Sequence, residues 1–386
     1  MRPYFLACLL ALLLAPFAAE SRAAAPIVPK APEIAATAYI LLDAGSGRVL
    51  AERDADSSVP PASLTKIMTS YVAATELAAG RIRDDDMVSI SVRAWRMGGS
   101  KMFVREGTQV PLIDLLRGVI IQSGNDASVA LAEHVAGDEG AFADMMNEQA
   151  ARLGMTSTSF RNATGLPDDE HYASARDLAA LTEAMIRDFP DHYSLYSERS
   201  FRFNGIDQPN RNRLLWRDKT VDGVKTGHTR AAGYCLVASA ERNGQRLISV
   251  VLGTASDEAR MRESQKLLSY GFRYFETRKI YDADVMLRNA QLWFGEQDTV
   301  ELGLAENMVV TIPRGSYDMV KAEMRLPDVI EAPLAAGTEV GELRLSLDDE
   351  IVARAPLVAL EDAEEAGLFK WLWQSVVRFF QDLISG

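Results

Sequence analysis

The sequence predicts an α+β fold: an antiparallel sheet with helices, then a small all-β domain and a C-terminal amphipathic helix. Two observations predict the first domain, residues 26–278. Hairpin patterns occur near both of its ends, and the pattern between them is mainly helical. After residue 278, short alternating stretches separated by Pro, Gly and Asp are typical of a small β-sandwich domain, which we assign to residues 279–361.

Residues 1–25 are typical of a secretory signal peptide. Arg2 precedes an almost unbroken apolar run from Phe5 to Ala19, and small residues follow at 23–25. The run is short for a transmembrane span and is followed by charged residues. We therefore expect an exported protein, with an uncleaved anchor as the alternative.

The composition argues against several functions. A chain of 386 residues with a formal net charge of -13 is a poor partner for nucleic acid. The four histidines are scattered, and no Cys/His cluster has metal-ligand spacing, so we predict no metal and no cofactor. Without the signal peptide Cys235 is the single cysteine, and its strand-like surroundings predict a small buried core residue.

Two hairpins bracket the helical part of the first domain. One turns at Ala44–Gly47, and the other turns at the strong dipeptide Asn243-Gly244. We therefore expect one sheet assembled from N-terminal and C-terminal strands. Apolar residues recur at helical spacing in four segments between the hairpins, and a fifth helix is predicted to close the domain: 63–76, 111–134, 140–153, 175–187 and 263–277.

Residues 362–386 are predicted to form a separate helix. Its polar residues fall at intervals of four, on one stripe: Lys370, Gln374, Arg378 and Asp382. The other positions are largely apolar, and the aromatic residues among them include Trp371, Trp373, Phe379 and Phe380. This pattern is typical of a helix that lies in a membrane interface. A helix docked on the protein's own core, or a dimer contact, is the alternative.

A serine and a lysine three residues apart, Ser63 and Lys66, begin the first predicted helix after Pro60-Pro61. Residues i and i+3 share a helix face, so the Lys66 amine can approach the Ser63 hydroxyl. A serine nucleophile needs a base, and lysine can serve if burial or a second positive charge lowers its pKa. The N–H groups at a helix start can also stabilise an oxyanion. Alone, Ser-x-x-Lys is a weak motif.

Two further segments strengthen this interpretation. Ser123 and Asn125 follow an apolar helix and can offer a hydroxyl and an amide to a cleft. Lys225 precedes the second hairpin, where it would project from the edge of a strand while Gly227 lets substrate approach the backbone. Singly these residues could be a cap, a turn residue and a solvated charge, but the ordered set favours a catalytic site.

The order Ser-x-x-Lys, Ser-x-Asn, Lys-Thr-Gly resembles the penicillin-binding and serine β-lactamase superfamily. The closer resemblance is to the D-alanyl-D-alanine carboxypeptidases of peptidase family S11, and it covers nearly the whole chain. The segments that carry it are 61–69, 122–127, 203–205, 210–212 and 222–229. A short loop from Trp95 to Lys101 departs from the family pattern, which bears on substrate preference.

The resemblance implies a serine β-lactamase/D,D-peptidase-like domain and a serine-type D-Ala-D-Ala carboxypeptidase. The expected substrate is the peptidoglycan stem pentapeptide ending in D-Ala-D-Ala, and β-lactam antibiotics are expected to be covalent inhibitors. The expected location is the periplasmic face of the inner membrane, with peripheral attachment through the C-terminal helix to the membrane surface.

The resemblance also implies roles for the matching residues. Ser63 would attack the carbonyl between the last two D-alanines, and Lys66 would accept its proton. Ser123 would pass a proton to the leaving amine, and Asn125 would orient the substrate amide and Lys66.

Lys225 would hold Lys66 neutral and, with Thr226, meet the terminal carboxylate. Gly227 belongs to the same substrate-binding strand, and the backbone N–H groups of Ser63 and His228 would form the oxyanion hole. Two arginines are further carboxylate-binding or supporting candidates, with a plain surface position as the alternative for each: Arg211 and Arg260.

Three other functions remain as alternatives. A class A β-lactamase would need a Glu-x-x-Leu-Asn pattern after Ser123, but Glu170 is followed by His171, and Gly124 replaces the expected Asp. An endopeptidase that cuts D-alanyl cross-links would share every motif. A membrane-anchored scaffold could recruit partners through residues 280–360, although the catalytic residues are all present.

Overall fold

The structure is a computed structural model that describes residues 27–385. The predicted signal peptide, residues 1–25, lies outside the described residues. The strands are β1 (Ala38–Asp43), β2 (Val49–Arg53), β3 (Met87–Ser89), β4 (Gln109–Pro111), β5 (Ser200–Phe203), β6 (Ile206–Pro209), β7 (Val221–Thr229), β8 (Gly233–Arg242), β9 (Gln245–Thr254), β10 (Phe275–Tyr281), β11 (Arg288–Gln291), β12 (Thr299–Gly303), β13 (Met308–Pro313), β14 (Lys321–Arg325), β15 (Glu339–Leu347) and β16 (Glu350–Ala359). The helices are α1 (Lys66–Ala78), α2 (Val92–Arg96), α3 (Leu112–Arg117), α4 (Asn125–Ala136), α5 (Glu139–Arg152), α6 (Ala175–Asp188), α7 (Pro190–Tyr193), α8 (Leu214–Arg217), α9 (Asp257–Tyr274) and α10 (Leu368–Ser385).

The central sheet is antiparallel and has the strand order β2-β1-β9-β8-β7. Strand β1 pairs with β9, so Ile40 lies opposite Val250. Both predicted hairpins and the assembly of the sheet from N-terminal and C-terminal strands are therefore confirmed. Strand β7, which carries Lys225, directly precedes the second hairpin and lies at the edge of the sheet.

Helices cover both faces of this sheet. Successive side chains of a strand point to opposite faces. Accordingly, Ile40 and Leu42 of β1 pack into the large cluster that includes α1, α4 and α6, while Tyr39 and Leu41 pack against α9 on the other face. Cys235 is buried in the large cluster, which confirms its prediction as a core residue. The sheet therefore fixes its edge strand between two apolar layers.

The single helix predicted for residues 111–134 is wrong in one respect, because the chain breaks in its middle. After α3, one π-helical turn covers Gly118–Gln122, and Ser123 takes a left-handed conformation with φ 63° before α4 begins. The buried Asp126 carboxylate accepts the backbone N–H groups of Met102 and Phe103, each at 2.8 Å. This tertiary attachment fixes the break and overrides the local helical periodicity.

The predicted helix 263–277 was also misplaced. Helix α9 begins at Asp257, because the Ser256 hydroxyl caps it by accepting the Ala259 N–H at 3.1 Å. It ends at Tyr274, and Thr277 belongs to β10, where it pairs with a residue of β13. The strand pairing ends the helix three residues before the predicted boundary.

The C-terminal part is all-β, followed by one helix, as predicted. Five strands form a sheet in the order β11-β12-β16-β15-β14, while β10 pairs with β13. Leu343, Leu345 and Leu357 are fully buried in its own core. Strand β10 runs through residue 278, and the boundaries at residues 278 and 361 stay predictions. Over residues 27–385, no helix has the length and hydropathy required to cross a bilayer.

Candidate active site

The predicted nucleophile lies in a tight turn that leads into α1. Ala62–Thr65 form a 3-10 turn, and Lys66 is the first residue of the α-helix. The Lys66 Nζ lies 3.2 Å from the Ser63 Oγ. The structure therefore brings the first pair of predicted site residues together, on one face, as their spacing of three residues requires.

Two oxygens fix the Lys66 amine. Its Nζ donates to Asn125 Oδ1 at 2.8 Å and to the Thr164 carbonyl at 2.6 Å. A neutral amine has two N–H bonds and one lone pair. With both N–H bonds directed to these oxygens, the lone pair is left for the Ser63 hydroxyl. The arrangement suits a general base that accepts the serine proton.

The electrostatics of the site favour a neutral Lys66 near neutral pH. The pKa of Lys66 is lowered to about 7, first by burial and then by the positive charge of Arg211, against the opposing charges of Asp126 and Glu139. The pKa of Lys225 is lowered well below its usual value, first by burial and then by the charge of Lys66. Two buried ammonium groups oppose each other, so a charge on one disfavours a charge on the other.

Ser123 lies at the break before α4, and Asn125 is the first residue of that helix. Among the residues that the structure describes, the Ser123 Oγ is buried without a hydrogen-bond partner, and the residue also has a strained left-handed backbone. Asn125 Nδ2 donates to the Gly98 carbonyl at 2.7 Å, which leaves its Oδ1 facing Lys66. The free hydroxyl of Ser123 is available to a bound substrate.

The edge strand β7 forms another wall. Lys225 is 1 % exposed, and its Nζ donates to the Thr226 carbonyl at 3.1 Å. Gly227 was predicted to let substrate approach the backbone, but the structure shows a different reason why this position needs a glycine. A Cβ there would lie 3.0 Å from the Pro61 carbonyl oxygen and 3.3 Å from Leu64 Cγ. The missing side chain makes room for the chain that carries Ser63.

These elements surround a cleft of about 430 Å³. It is lined by Ser63, Ser100, Ser123, Arg211, Arg213, Thr226, Gly227, His228, Tyr234, Asp257 and Arg260. Three arginines against one aspartate make a positively charged floor that suits a carboxylate. Four of these residues were not predicted from the sequence: Ser100, Arg213, Tyr234 and Asp257. None of the four lies within the motif residues that carry the chemistry, but two had a signal nearby, since Ser100 lies in the loop from Trp95 to Lys101 and Arg213 directly follows Asn210–Asn212.

The two arginine candidates, Arg211 and Arg260, differ in their surroundings. Arg260 is 7 % exposed, donates to the Gly227 carbonyl at 2.9 Å and is paired with Asp257, so it supports β7 from within. A surface position is therefore wrong for Arg260. Arg211 is exposed, but it lines the cleft and its Nε donates to the Gln122 carbonyl at 2.9 Å.

The structure gives less support to the β-lactamase alternative. Glu170, the acid closest to the β-lactamase pattern, is exposed and paired with Arg161 at 2.6 Å. Its carboxylate is therefore exposed at the surface and bound to Arg161. Within residues 27–385, no group of three His, Cys, Asp or Glu side chains is placed to hold a metal ion.

Comparison with known proteins gives a consistent match over most of the chain. The family model of the D-alanyl-D-alanine carboxypeptidases, peptidase S11, matches residues 25–256, and that of the penicillin-binding protein 5 C-terminal domain matches residues 275–365. D-alanyl-D-alanine carboxypeptidase DacC of Escherichia coli K12 is 46% identical over 359 residues, which are 91% of this chain and 90% of the relative.

Solved structures agree with these matches. Penicillin-binding protein 5 of Haemophilus influenzae superposes with a TM-score of 0.85 at 44% identity, covering 88% of this chain and 100% of that one. Penicillin-binding protein D2 of Listeria monocytogenes, solved in an ampicillin-bound form, has a TM-score of 0.59 at 29% identity and covers 63% of this chain and 100% of its own. With a family match over more than half of its residues and a relative that shares nearly half of them, the chain belongs to peptidase family S11, the D-alanyl-D-alanine carboxypeptidases.

Proposed function

We propose that this protein removes the terminal D-alanine from peptidoglycan stem pentapeptides through an acyl-enzyme on Ser63. The observation that carries the proposal is the Lys66 amine, which lies 3.2 Å from the Ser63 Oγ with its other contacts occupied by two oxygens. In this position the amine can take the serine proton while the Oγ attacks the carbonyl between the two D-alanines.

The steps balance with the groups of the cleft. The new bond joins Ser63 Oγ to the carbonyl carbon, and the bond to the D-alanine nitrogen breaks. The leaving amine takes a proton that passes from Lys66 through the unpartnered Ser123 hydroxyl. A water then attacks the ester, with Lys66 again as base, and frees the shortened peptide.

The remaining residues bind the substrate. The terminal carboxylate meets Lys225, Thr226 and the arginines of the cleft floor, Arg211 first among them. The backbone N–H groups of Ser63 and His228 receive the oxyanion. A β-lactam places its ring carbonyl at the same position and acylates the same serine, so penicillin is an inhibitor and a probe.

We further propose that α10 attaches the exported protein to the membrane surface on the periplasmic side. The support for this proposal is the orientation of α10 relative to the β domain. The polar stripe predicted from the sequence faces the β domain: Lys370 donates to the Glu296 carbonyl at 2.8 Å, and Arg378 pairs with Glu331. Gln374 accepts the Phe294 N–H at 2.5 Å.

The other side of α10 is apolar and open. Phe369, Trp373, Phe379 and Phe380 are 89%, 68%, 63% and 56% exposed. A helix docked on the protein's own core would bury its apolar face. Here the polar stripe is docked and only Trp371 among the aromatic residues packs on the β domain, against Phe294, while these four aromatic residues stay exposed. A lipid interface is the environment that suits such a face. The β domain of residues 279–361 would then lie directly against the membrane-attached helix.

The decisive experiment is mass spectrometry of a purified pentapeptide muropeptide after incubation with the protein. Loss of one D-alanine that penicillin blocks supports the carboxypeptidase. An unchanged pentapeptide contradicts it. Cleavage of a cross-linked muropeptide in the same assay would instead assign the site to an endopeptidase.

A further inference from the structure

A surface loop packs directly on the segment that carries the nucleophile. This loop, residues 160–173, closes at its base through the bridge between Ser159 and Tyr172. Gly165 has a φ of 77°, and a Cβ there would fall 1.8 Å from the Ala62 carbonyl oxygen and 2.8 Å from Thr65 Oγ1. The loop backbone therefore touches the nucleophile turn with no room for a side chain between them.

Asn162 shapes the turn of this loop. Its Oδ1 accepts the N–H of Thr164 at 3.1 Å, the hydroxyl of Thr164 at 2.8 Å and the N–H of Gly165 at 2.8 Å. Its Nδ2 donates to the Leu166 carbonyl at 3.1 Å. One amide thus fixes three successive residues. The Thr164 carbonyl, aimed by this turn, is the oxygen that accepts from Lys66 Nζ at 2.6 Å.

His171 holds the nucleophile turn from the other end of the loop. It is 4 % exposed, and its Nδ1 accepts the Arg161 N–H at 3.1 Å. The neutral ring therefore carries its proton on Nε2, which lies 2.7 Å from Thr65 Oγ1 and donates to it. Burial lowers the pKa of His171 to about 4, so the ring is neutral at pH 7. Thr65 directly precedes Lys66 in the chain.

We infer that Asn162 and His171 are positioning residues for acylation. Asn162 acts through the Thr164 carbonyl to direct the lone pair of Lys66 at Ser63, and His171 fixes Thr65 within the turn that carries Ser63. The inference rests on the proposed function, because it assigns both roles relative to the Ser63 and Lys66 chemistry.

The Thr164 oxygen fixes the orientation of the Lys66 amine. Without it, only the N–H bond to Asn125 Oδ1 stays fixed, and the second N–H bond and the lone pair can exchange places. The lone pair then faces the serine only part of the time. A displacement of about 1 Å can cost roughly 100-fold in rate. The carbonyl also stabilises the ammonium form, so losing it lowers the pKa of Lys66. The charged groups that act on the pKa of Lys66 stay in place: Arg211, Asp126 and Glu139. Lys225, whose own pKa is lowered by the charge of Lys66, also stays in place.

The test measures the rate of acylation by a fluorescent penicillin as a function of pH, with thermal unfolding as a control for folding. Asn162→Ala is expected to lower the high-pH plateau about 100-fold and to shift the acid limb to lower pH. Asn162→Asp keeps the acceptor oxygen, so it should recover most of the plateau, while its added negative charge moves the acid limb to higher pH. The matched control is Glu170→Ala, since Glu170 is an exposed residue of the same loop.

A second pair of variants tests the other end of the loop. His171→Leu removes the donor to Thr65 and should lower the plateau roughly tenfold without moving the acid limb. His171→Gln can still donate and should recover most of the rate. If Asn162→Ala does not fold, this pair still decides the role of His171, and the plateau and acid limb of Asn162→Asp decide that of Asn162.

The outcomes separate the inference from the proposed function. If the wild type is not labelled, the proposed function fails. If the wild type is labelled and folded Asn162→Ala matches it in plateau and acid limb, Asn162 is not a positioning residue. Equal rates for His171→Leu and His171→Gln would overturn the role of His171.

Discussion

Asn125 Oδ1 lies 2.8 Å from Lys66 Nζ, and this contact joins the second motif to the first. The orientation of the amide is fixed from its other end, because Asn125 Nδ2 donates to the Gly98 carbonyl at 2.7 Å. The oxygen must therefore face the lysine. Neighbouring Gly99 leaves the space for this contact, since a Cβ there would lie 2.8 Å from the same nitrogen. Three segments far apart in the chain thus set the hydrogen bonds of one amine.

Replacing the nucleophile tests the assignment most directly. Ser63→Ala should abolish both release of D-alanine and the mass increase caused by penicillin, because no other group takes the place of the Oγ 3.2 Å from Lys66. The thermal unfolding midpoint should change little. Ser57→Ala, at an exposed serine nearby, is the control and should acylate normally. Labelling that survives in Ser63→Ala would refute the nucleophile.

The acylation rate should follow the ionisation of Lys66. Lysine acts as a base only when neutral, and the pKa of Lys66 is lowered to about 7. The rate should therefore rise about tenfold per pH unit below pH 7 and level off above it. Stopped-flow acylation by penicillin between pH 5 and 9 measures this limb. A rate that stays constant across that range would show that a group other than Lys66 takes the proton.

Arg211 should influence that limb although it does not touch Ser63. Because its positive charge lowers the pKa of Lys66, Arg211→Met should raise that pKa and move the acid limb to higher pH. It should also raise KM for the pentapeptide by removing a partner of the carboxylate. Lys219→Met, at an exposed lysine before β7, is the control. An acid limb that does not move would leave Arg211 with a binding role alone.

The parts of the site that sequence could predict are those where spacing fixes geometry. Ser63 and Lys66 meet because residues three apart share a helix face, and Lys225 lies on a strand that directly precedes a clear hairpin. That this strand is the edge of the sheet follows only from the observed strand order. Thr164 could not be found in this way. It acts through a backbone carbonyl, which every residue has, so its type carries no signal.

The fold shows the same division between local and tertiary causes. The start of α9 had a local signal that the prediction overlooked, because Ser256 precedes two acidic residues as a helix cap does. The break before α4 had a weak local signal in the turn dipeptide Ser123-Gly124. The attachment that fixes it is tertiary, since Asp126 binds a loop some twenty residues earlier in the chain. For α10, periodicity predicted the polar stripe, but the direction that the stripe faces became visible only in contacts such as that of Lys370 with Glu296.

His171 should make the folded protein more sensitive to acid. Its pKa is lowered from 6.5 to about 4 by burial, so between these values the unfolded chain binds a proton that the folded chain does not. Stability therefore rises with pH across this window and is lowest below pH 4, by roughly 3 kcal/mol for this one group. Urea unfolding at pH 4 and 7 should show a smaller difference for His171→Gln than for wild type. An equal difference would mean that His171 is protonated in the fold.

Removing α10 should release a soluble and active enzyme. The cut should follow Gly367, because the Ala366 N–H donates to the Phe294 carbonyl and belongs to the β domain. The hydrogen bonds and ion pairs of α10 reach the β domain and none reaches the cleft among residues 27–380, so pentapeptide turnover should stay at the wild-type level. Co-sedimentation with phospholipid vesicles should fall to background for the truncated chain. In the full chain, replacing the exposed Trp373 and Phe380 by serine should weaken sedimentation, whereas Ser375→Ala on the same helix should not. A truncated chain that still sediments with vesicles would mean that another surface binds the membrane.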